Sequence, residues 1–219
     1  MTPGDVLLPD RYRAVIFDMD GLLLDTELLW HEAEVELFAR RGVEFTWDDK
    51  LAVMGTSFAI TADYFADRLG VERSDGPALV DEMIELMHEN LQRQVRGRPG
   101  AVELVERLRG RTRLGLASNS PRRLVDTALA AAGIADAFDA IVTSDDVVHA
   151  KPAPDLYLLA CERLGVEPAD ALALEDSPSG ITAAKAAGLV CIAVPQFAET
   201  DVSEADRVIA SLEELLAEV

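Results

Sequence analysis

Five short apolar segments, each bounded by turn residues, constrain the fold of this 219-residue chain more than any other feature. They are predicted to be strands because most are apolar throughout, as strands buried on both faces of a sheet are. Stretches with helical periodicity lie between the later segments, and strands that alternate with helices form parallel sheets. The sequence therefore predicts an α/β fold with a doubly wound parallel sheet. The predicted strands are 13–17, 113–117, 140–143, 171–174 and 190–194, and the predicted helices are 100–109, 121–132, 154–164 and 178–187.

Residues 27–95 have a different pattern, with no convincing strand and with glycines between amphipathic stretches. Such stretches predict helices, because their apolar residues recur at the spacing of one helical face. The predicted helices are 28–41, 57–69 and 77–95. The simplest interpretation is a helical cap domain of residues 27–95 inserted after the first strand, with residues 1–26 and 96–219 forming the α/β core.

The charge of the chain excludes some classes of partner. The formal net charge is −20 and the isoelectric point is about 4.4, whereas nucleic acids and anionic membranes bind basic surfaces. No stretch approaches the ~20 consecutive apolar residues of a membrane span, and the N-terminus lacks the pattern of a signal peptide. Cys161 and Cys191 are expected to be small buried hydrophobes. We therefore expect a cytoplasmic protein with no nucleic-acid or membrane partner, as a monomer or a weak dimer.

Polar residues follow the predicted strands at the points where a doubly wound sheet binds ligands, which is the carboxyl end of its strands. An acidic protein can bind an anion there only if a metal ion, a lysine or backbone N–H groups reverse the local field. The candidates are Asp18 and Asp20, Ser118 and Asn119, Lys151, and Glu175 and Asp176. The sequence thus predicts a polar site at this edge of the sheet.

Asp18-Met19-Asp20-Gly21 places two carboxylates one residue apart just after the first strand. Two interpretations are open: a solvated turn, in which Gly21 permits a tight backbone, or a pair of acids that performs chemistry. A calcium-binding EF-hand loop matches poorly, because its glycine belongs at the sixth position and here glycine is the fourth residue.

The other strand ends are also open to two interpretations each. Ser118-Asn119 is either an ordinary loop or a pair of groups for phosphate oxygens, beside the helix that Ser120-Pro121 is expected to open. Lys151, one of three lysines in the chain, is either surface charge or an ammonium between the Asp18 carboxylate and a phosphate. Glu175-Asp176-Ser177 either caps the next helix or, together with Asp18, offers carboxylate oxygens to Mg²⁺.

The ordered set of motifs is more specific than any one of them. Asp-x-Asp-Gly, Ser-Asn, Lys-Pro-x-Pro-Asp and Glu-Asp-Ser-x-x-Gly each follow a predicted strand, and together they resemble the haloacid dehalogenase superfamily of phosphohydrolases. The resemblance covers nearly the whole chain and is closest to members with a helical cap, among them sugar phosphatases, nucleotide phosphatases and β-phosphoglucomutase. It implies a Rossmann-like core and Mg²⁺ as the cofactor.

The resemblance also implies a role for each candidate. Asp18 would be the nucleophile that forms an aspartyl-phosphate, and Asp20 would act first as general acid and then as general base. Asp18, Asp176 and the backbone carbonyl of Asp20 would hold the metal, and Glu175 would either bind it directly or orient its ligands. Lys151 would balance the negative charge. The residues implied to bind phosphate or the rest of the substrate are Ser118, Asn119, Lys151, Gly21, Thr26 and Gly55.

The predicted cap narrows the choice of substrate. In β-phosphoglucomutase a cap arginine grips the distal phosphate, whereas Phe58 takes that place here, and Trp30 stands where that enzyme has a histidine. Trp30 is either part of the cap core or a platform for a sugar ring or a base. The sequence therefore predicts a phosphatase for a small phosphorylated metabolite, either a sugar phosphate or a nucleoside monophosphate. A sugar-phosphate mutase and a non-catalytic regulator that binds such a metabolite are the alternatives.

Overall fold

The computed structural model describes residues 11–54 and 56–219 and has a parallel sheet at its centre. The five predicted strands are confirmed to within one residue at each end, and a two-residue edge strand near the C-terminus was not predicted. The strands are β1 (Ala14–Phe17), β2 (Arg113–Ala117), β3 (Ala140–Val142), β4 (Ala171–Glu175), β5 (Val190–Ala193) and β6 (Arg207–Val208). Their order across the sheet is β3-β2-β1-β4-β5-β6, which confirms the doubly wound α/β fold.

After β1, the described part of residues 27–95 contains four α-helices: α1 (Glu27–Ala39), α2 (Trp47–Val53), α3 (Phe58–Leu69) and α4 (Gly76–Arg93). Three of them were predicted, but α2 was not, because seven residues are too few to show a clear apolar period. Its signal is a capping box, in which Thr46 and Asp49 satisfy each other's backbone N–H groups. Helix α4 packs against both α1 and α3.

The remaining helices cover the two faces of the sheet. They are α5 (Ala101–Leu108), α6 (Arg122–Ala131), α7 (Asp155–Leu164) and α8 (Pro178–Ala187), each close to its predicted range. Side chains alternate along a strand, so Val15 and Phe17 pack in the layer of α5 and α6, whereas Ala14 and Ile16 pack in the layer of α7 and α8. Asp18 continues the second alternation, toward α7.

The predicted helix starts are only partly correct. Ser177 caps α8, since its Oγ accepts a hydrogen bond from the N–H of Gly180 at 3.1 Å. Helix α6 begins directly after Ser120-Pro121, as expected, but neither α6 nor α7 has a side-chain cap. Ser120 donates its hydroxyl proton to Asp20 instead, at 2.8 Å.

Two expectations from composition can be compared with the structure. Cys161 and Cys191 are buried and unpaired, as expected. Within residues 11–54 and 56–219, no helix has the length and apolar character needed to cross a membrane.

Candidate active site

The register of the central strands brings the predicted site residues to one edge of the sheet. From β1 the chain adds strands β2 and β3 on one side of the sheet and then crosses to add β4, β5 and β6 on the other side. Doubly wound sheets bind ligands at this change of direction, here between β1 and β4. Phe17 is paired with Leu174, so the residues that follow them, Asp18 and Glu175, are neighbours across the β1–β4 ladder. Side chains that are neighbours across a ladder point to the same face, so both carboxylates face α7.

Lys151 joins these strand ends. Its ammonium donates to Asp18 Oδ1 at 2.6 Å, to Glu175 Oε1 at 2.5 Å and to the carbonyl oxygen of Ala117 at 2.8 Å, which uses all three of its N–H bonds. Asn119 fixes the backbone of Lys151 in both directions, since its Oδ1 accepts from Lys151 N at 2.9 Å and its Nδ2 donates to Lys151 O at 3.3 Å. The lysine is 3% exposed, so it is a buried structural charge as well as a site residue.

Burial controls the charges of this cluster. Burial raises the pKa of Asp18 well above its ordinary value, Lys151 acts in the opposite direction, and the charge of Glu175 raises the pKa further. Burial also raises the pKa of Asp176, and the charge of Asp18 adds to that effect. For Lys151, burial lowers the pKa, but the attraction of Asp18 and Glu175 outweighs it, and the pKa is raised. The ammonium therefore stays charged, whereas the carboxylates lack sufficient positive charge around them.

The acidic residues of this cluster fit a hard divalent cation. Asp18, Glu175 and Asp176 each offer a carboxylate oxygen, and these oxygens lie within 4.8 Å of one another. Oδ1 of Asp176 is buried and accepts no hydrogen bond from the described residues. Three carboxylates beside one ammonium leave two negative charges uncompensated when all are ionised. Mg²⁺ supplies two positive charges and prefers oxygen ligands, so the donor set and the charge both suit it.

The second acid of the motif, Asp20, is held by four donors from two parts of the chain. Its Oδ1 accepts from Thr26 Oγ1 at 2.7 Å and from the indole Nε1 of Trp30 at 3.2 Å. Its Oδ2 accepts from Ser120 Oγ at 2.8 Å and from Ser118 Oγ at 3.3 Å. The carboxylate is therefore oriented at the boundary between the helical segment α1–α4 and the sheet, beside Asp18.

Gly21 occupies a position that only glycine suits. Its φ of +83° lies in the left-handed region, and a Cβ there would collide with Oδ2 of Asp176. The close approach of this backbone to Asp176 keeps the β1 and β4 loops in contact. The N–H of Gly21 donates to the carbonyl oxygen of Leu24 at 2.9 Å.

The predicted substrate-binding residues are close to the catalytic candidates but have partners within the protein. Ser118 and Thr26 contact Asp20, whereas Asn119 contacts the backbone of Lys151. Their roles toward phosphate, like that of Gly21, stay predictions. Gly55 lies outside the described residues.

Sequence reasoning missed two residues of the site and did not foresee the contact of a third. Tyr157 on α7 is fully buried and donates its hydroxyl proton to Glu175 Oε1 at 2.7 Å. The missed Ser120 and the contact of Trp30 both involve Asp20. The sequence did contain a signal for Tyr157. Tyr157 lies on the helix that follows Lys151, and side chains alternate along β4, so Glu175 points toward that helix. No local signal identified the partners of Asp20, because those contacts depend on how α1 packs against the sheet.

These groups lie at one end of a cavity of about 880 Å³. The strand ends line one side, with Asp18, Asp20 and Asp176, and the helical segment lines the other. Apolar side chains of that segment include Trp30, Met54, Phe58 and Met83. The rings of Trp30 and Phe58 pack together with centroids 6.1 Å apart, and Trp30 is 9% exposed, which fits its interpretation as core.

A basic residue of the helical segment also faces the cavity. Sequence reasoning looked for one only at the position of Phe58 and found none. The structure places Lys50 of α2 in the cavity wall, with Glu27 and Glu34 of α1. Lys50 is 4% exposed, so two of the three lysines of the chain are buried around this one cavity.

Comparison with known proteins identifies related sequences and structures. The model of the haloacid dehalogenase-like hydrolase family matches residues 12–188. Fructose-1-phosphate phosphatase YqaB of Escherichia coli (strain K12) is 34% identical over 185 residues, which cover 84% of this chain and 97% of that protein. A CbbY variant from Rhodobacter sphaeroides, solved in complex with xylulose-(1,5)bisphosphate, superposes with a TM-score of 0.82 at 30% identity, over 94% of this chain and 98% of that one.

One relative is much longer. Protein SUPPRESSOR OF QUENCHING 1 of Arabidopsis thaliana, described as chloroplastic, is 38% identical over 199 residues. That match covers 89% of this chain but only 18% of the plant protein. The chain therefore corresponds to one part of that relative and to nearly the full length of YqaB.

Proposed function

The chain belongs to the haloacid dehalogenase-like hydrolases, and we propose that it is a Mg²⁺-dependent phosphatase that hydrolyses a small phosphorylated metabolite through an aspartyl-phosphate. One observation carries the proposal: Asp18, Glu175 and Asp176 lie together at the end of the cavity, Lys151 binds the first two of them, and Asp20 has its carboxylate held in place beside them. A nucleophile, an acid–base group and a charge-balancing lysine are therefore together in one place.

In the first step, a carboxylate oxygen of Asp18 attacks phosphorus and forms a phosphorus–oxygen bond. The bond from phosphorus to the ester oxygen breaks, and Asp20 gives its proton to that oxygen as the alcohol leaves. Lys151 keeps its contact with Asp18 Oδ1, so the other carboxylate oxygen is the attacking atom. The positive charge of Lys151 favours the transition state, where negative charge spreads over the phosphoryl oxygens.

In the second step, Asp20 accepts a proton from a water molecule, which attacks the phosphorus of the aspartyl-phosphate. The bond between phosphorus and the Asp18 oxygen breaks, so inorganic phosphate leaves and the Asp18 carboxylate is restored. The four contacts fix the position of the Asp20 side chain, so the protonated carboxyl group can give its proton in the first step and the resulting carboxylate can accept one at the same place in the second.

The residues that would hold Mg²⁺ are Asp18, Asp176 and the backbone carbonyl of Asp20. Glu175 is better suited to orient this set, because its oxygens already accept from Lys151, Tyr157 and Ser177, whereas Asp176 Oδ1 has no partner among the described residues. When bound, the cation would supply positive charge to the carboxylates and to the phosphoryl group. Of the two roles that the sequence leaves open for Glu175, this assigns it the orienting one.

The substrate that the cavity and the relatives support best is a phosphorylated sugar. YqaB is named for fructose 1-phosphate, and the CbbY variant holds a sugar bisphosphate. We infer that the helical segment 27–95 is the cap domain that encloses the sugar. Simple hydrolysis is favoured over mutase chemistry, because Phe58 packs against Trp30 and offers no charge for a second phosphate. The presence of every catalytic group argues against a non-catalytic regulator.

Release of inorganic phosphate from a panel of sugar phosphates, nucleoside monophosphates and p-nitrophenyl phosphate tests this proposal. We expect turnover of sugar phosphates with Mg²⁺ and none with a chelator. Asp18→Asn removes the nucleophile and should abolish turnover, whereas the matched Asp81→Asn, at an exposed position of α4, should not. The absence of phosphate release from every ester, with a folded protein and Mg²⁺ present, would contradict the proposal.

A further inference from the structure

A second charged cluster lies in the wall of the same cavity, on the helical segment rather than on the sheet. Nζ of Lys50 lies 3.1 Å from Glu34 Oε2 and 3.3 Å from Glu27 Oε2. The side chains of Lys50 and Glu34 are 4% and 5% exposed, and that of Glu27 is 23% exposed. The mechanism above uses none of the three. We call Glu27, Glu34 and Lys50 the cap triad.

The hydrogen bonding of the cap triad is incomplete. Oε2 of Glu27 and Oε2 of Glu34 are buried and accept no hydrogen bond from the described residues, although each is close to the ammonium. Within the described part of the chain, the Lys50 ammonium donates one hydrogen bond, to Glu34 Oε1, and that bond is long, at 3.3 Å. A buried carboxylate with a free oxygen is costly unless something donates to it. Since these atoms border the cavity, a bound ligand is the natural donor.

Among residues 11–54 and 56–219, no other group donates a hydrogen bond to these two free carboxylate oxygens. His31 Nδ1 lies 3.9 Å from Glu34 Oε2, too far for a hydrogen bond, and it also lacks a partner among the described residues. Burial raises the pKa of Glu34 to about 7 even though Lys50 is adjacent, which is the behaviour of a carboxylate that the protein alone does not satisfy.

The cap triad is placed to contact the part of a substrate that is not the reacting phosphate. Glu27 contacts Lys50, and the cap triad lines the same cavity as Asp18 and Asp176. A phosphoester bound at Asp18 would therefore extend its carbon skeleton from Asp176 past Glu27 toward Lys50 and Glu34.

The chemistry of the cap triad selects what it binds. Two carboxylates and one ammonium offer several acceptors and few donors, which is the complement of neighbouring hydroxyl groups. A second phosphate would offer acceptors only and would meet two negative charges for one positive charge. The cluster thus favours hydroxyl groups and disfavours a distal anion.

We propose that Glu27, Glu34 and Lys50 form the hydroxyl-recognition site of this enzyme and make it selective for polyhydroxylated monophosphates over bisphosphates. This inference rests on the proposed phosphatase function and specifies its substrate class. It distinguishes this chain from the CbbY variant, whose structure contains a bisphosphate.

The test compares fructose 1-phosphate with fructose 1,6-bisphosphate, which differ only in the distal phosphate. The measured quantity is the ratio of kcat/KM for the bisphosphate to kcat/KM for the monophosphate. Both values come from the same preparation, so the ratio does not depend on the fraction of the protein that is folded. Wild type should prefer the monophosphate. At a pH well above the Glu34 pKa of about 7, Glu34→Gln removes one negative charge and should raise the ratio about tenfold. Lys50→Met removes the ammonium and should lower it.

The control is Glu32→Gln, the same change at an exposed position of α1, which should leave the ratio at its wild-type value. Opposite shifts in Glu34→Gln and Lys50→Met cannot come from misfolding, so they would support the inference. Equal ratios in both variants and wild type, or a wild type that prefers the bisphosphate, would overturn it while leaving the phosphatase intact. A wild type inert toward every ester would instead refute the proposed function, and this inference with it.

Discussion

Lys151→Met is the substitution whose effect on stability follows most directly from the structure. The lysine is almost completely buried and makes its three hydrogen bonds to Asp18, Glu175 and the carbonyl oxygen of Ala117. Methionine has a similar length, so the change removes the charge and the donors but leaves little empty volume. Breaking a buried ion pair from one side costs about 3–5 kcal/mol, because the partner charges stay buried.

The expected result is a large fall in the melting temperature. For a chain of this size, 1 kcal/mol corresponds to about 2–4 °C, so the melting temperature should fall by about 6–20 °C. Lys185→Met is the matched control. Lys185 pairs with Asp206 at 2.6 Å, but both side chains are about a third exposed or more, so its loss should cost less than about 1 kcal/mol.

The pH dependence distinguishes lost charge pairing from poor packing. Burial already raises the native pKa of Asp18, and without the ammonium it rises further above the value in the unfolded chain, so the native state binds more protons than the unfolded state. Stability then falls as pH rises. The difference in melting temperature between wild type and Lys151→Met should therefore widen as pH increases above about 4, which is the ordinary pKa of a carboxyl group.

Thermal unfolding monitored by circular dichroism at several pH values, with chelator present, measures both effects. The reasoning fails if Lys151→Met melts within about 2 °C of wild type, or if its destabilisation is the same at every pH. Asp18→Asn provides a further check, because it removes a carboxylate from a cluster with excess negative charge. It should be less destabilising than Lys151→Met.

Three further predictions follow from the site. Trp30→Phe removes the indole donor to Asp20 and should lower kcat about tenfold with little change in KM, measured by steady-state kinetics. Gly21→Ala pushes a methyl group against Asp176 at a positive φ, so calorimetric titration with Mg²⁺ should show weaker binding than in wild type, and unchanged affinity would contradict the contact. Addition of Mg²⁺ should raise the wild-type melting temperature, since it neutralises carboxylates that burial leaves under-compensated; no shift at millimolar Mg²⁺ would count against the proposed ligand set.

Much of the fold could be predicted from local pattern. The strands were predictable because a segment buried on both faces must be apolar at every position, and the parallel arrangement followed from the alternation of strands with helices. The hydrolase family and its class as a phosphoric monoester hydrolase were predicted from the four ordered motifs and are confirmed. Helix α2 and strand β6 were missed because each is too short to carry a periodic signal.

The partners within the site were less predictable. Ser120 was expected to cap α6 and instead donates to Asp20, since a hydroxyl at a strand end can point either to the next helix or across the sheet edge. Asn119 was expected to bind phosphate and here it holds the backbone of Lys151, while its role toward phosphate stays a prediction. The local sequence shows which hydrogen-bonding groups a residue has. The residues on neighbouring strands determine which of those groups form hydrogen bonds.

The sequence by itself determined the fold class, the order of the strand-end motifs and the acidic character that requires a cation and a lysine at any anion site. Only the tertiary structure decided that Glu27 and Glu34, seven residues apart on α1, meet Lys50 from another helix inside the cavity. It alone also showed that Trp30 reaches Asp20. The physical reason is that hydrophobic periodicity and turn chemistry are local and are carried by neighbouring residues. The burial and pairing of charges depend instead on how separate elements pack, which no short window of sequence contains.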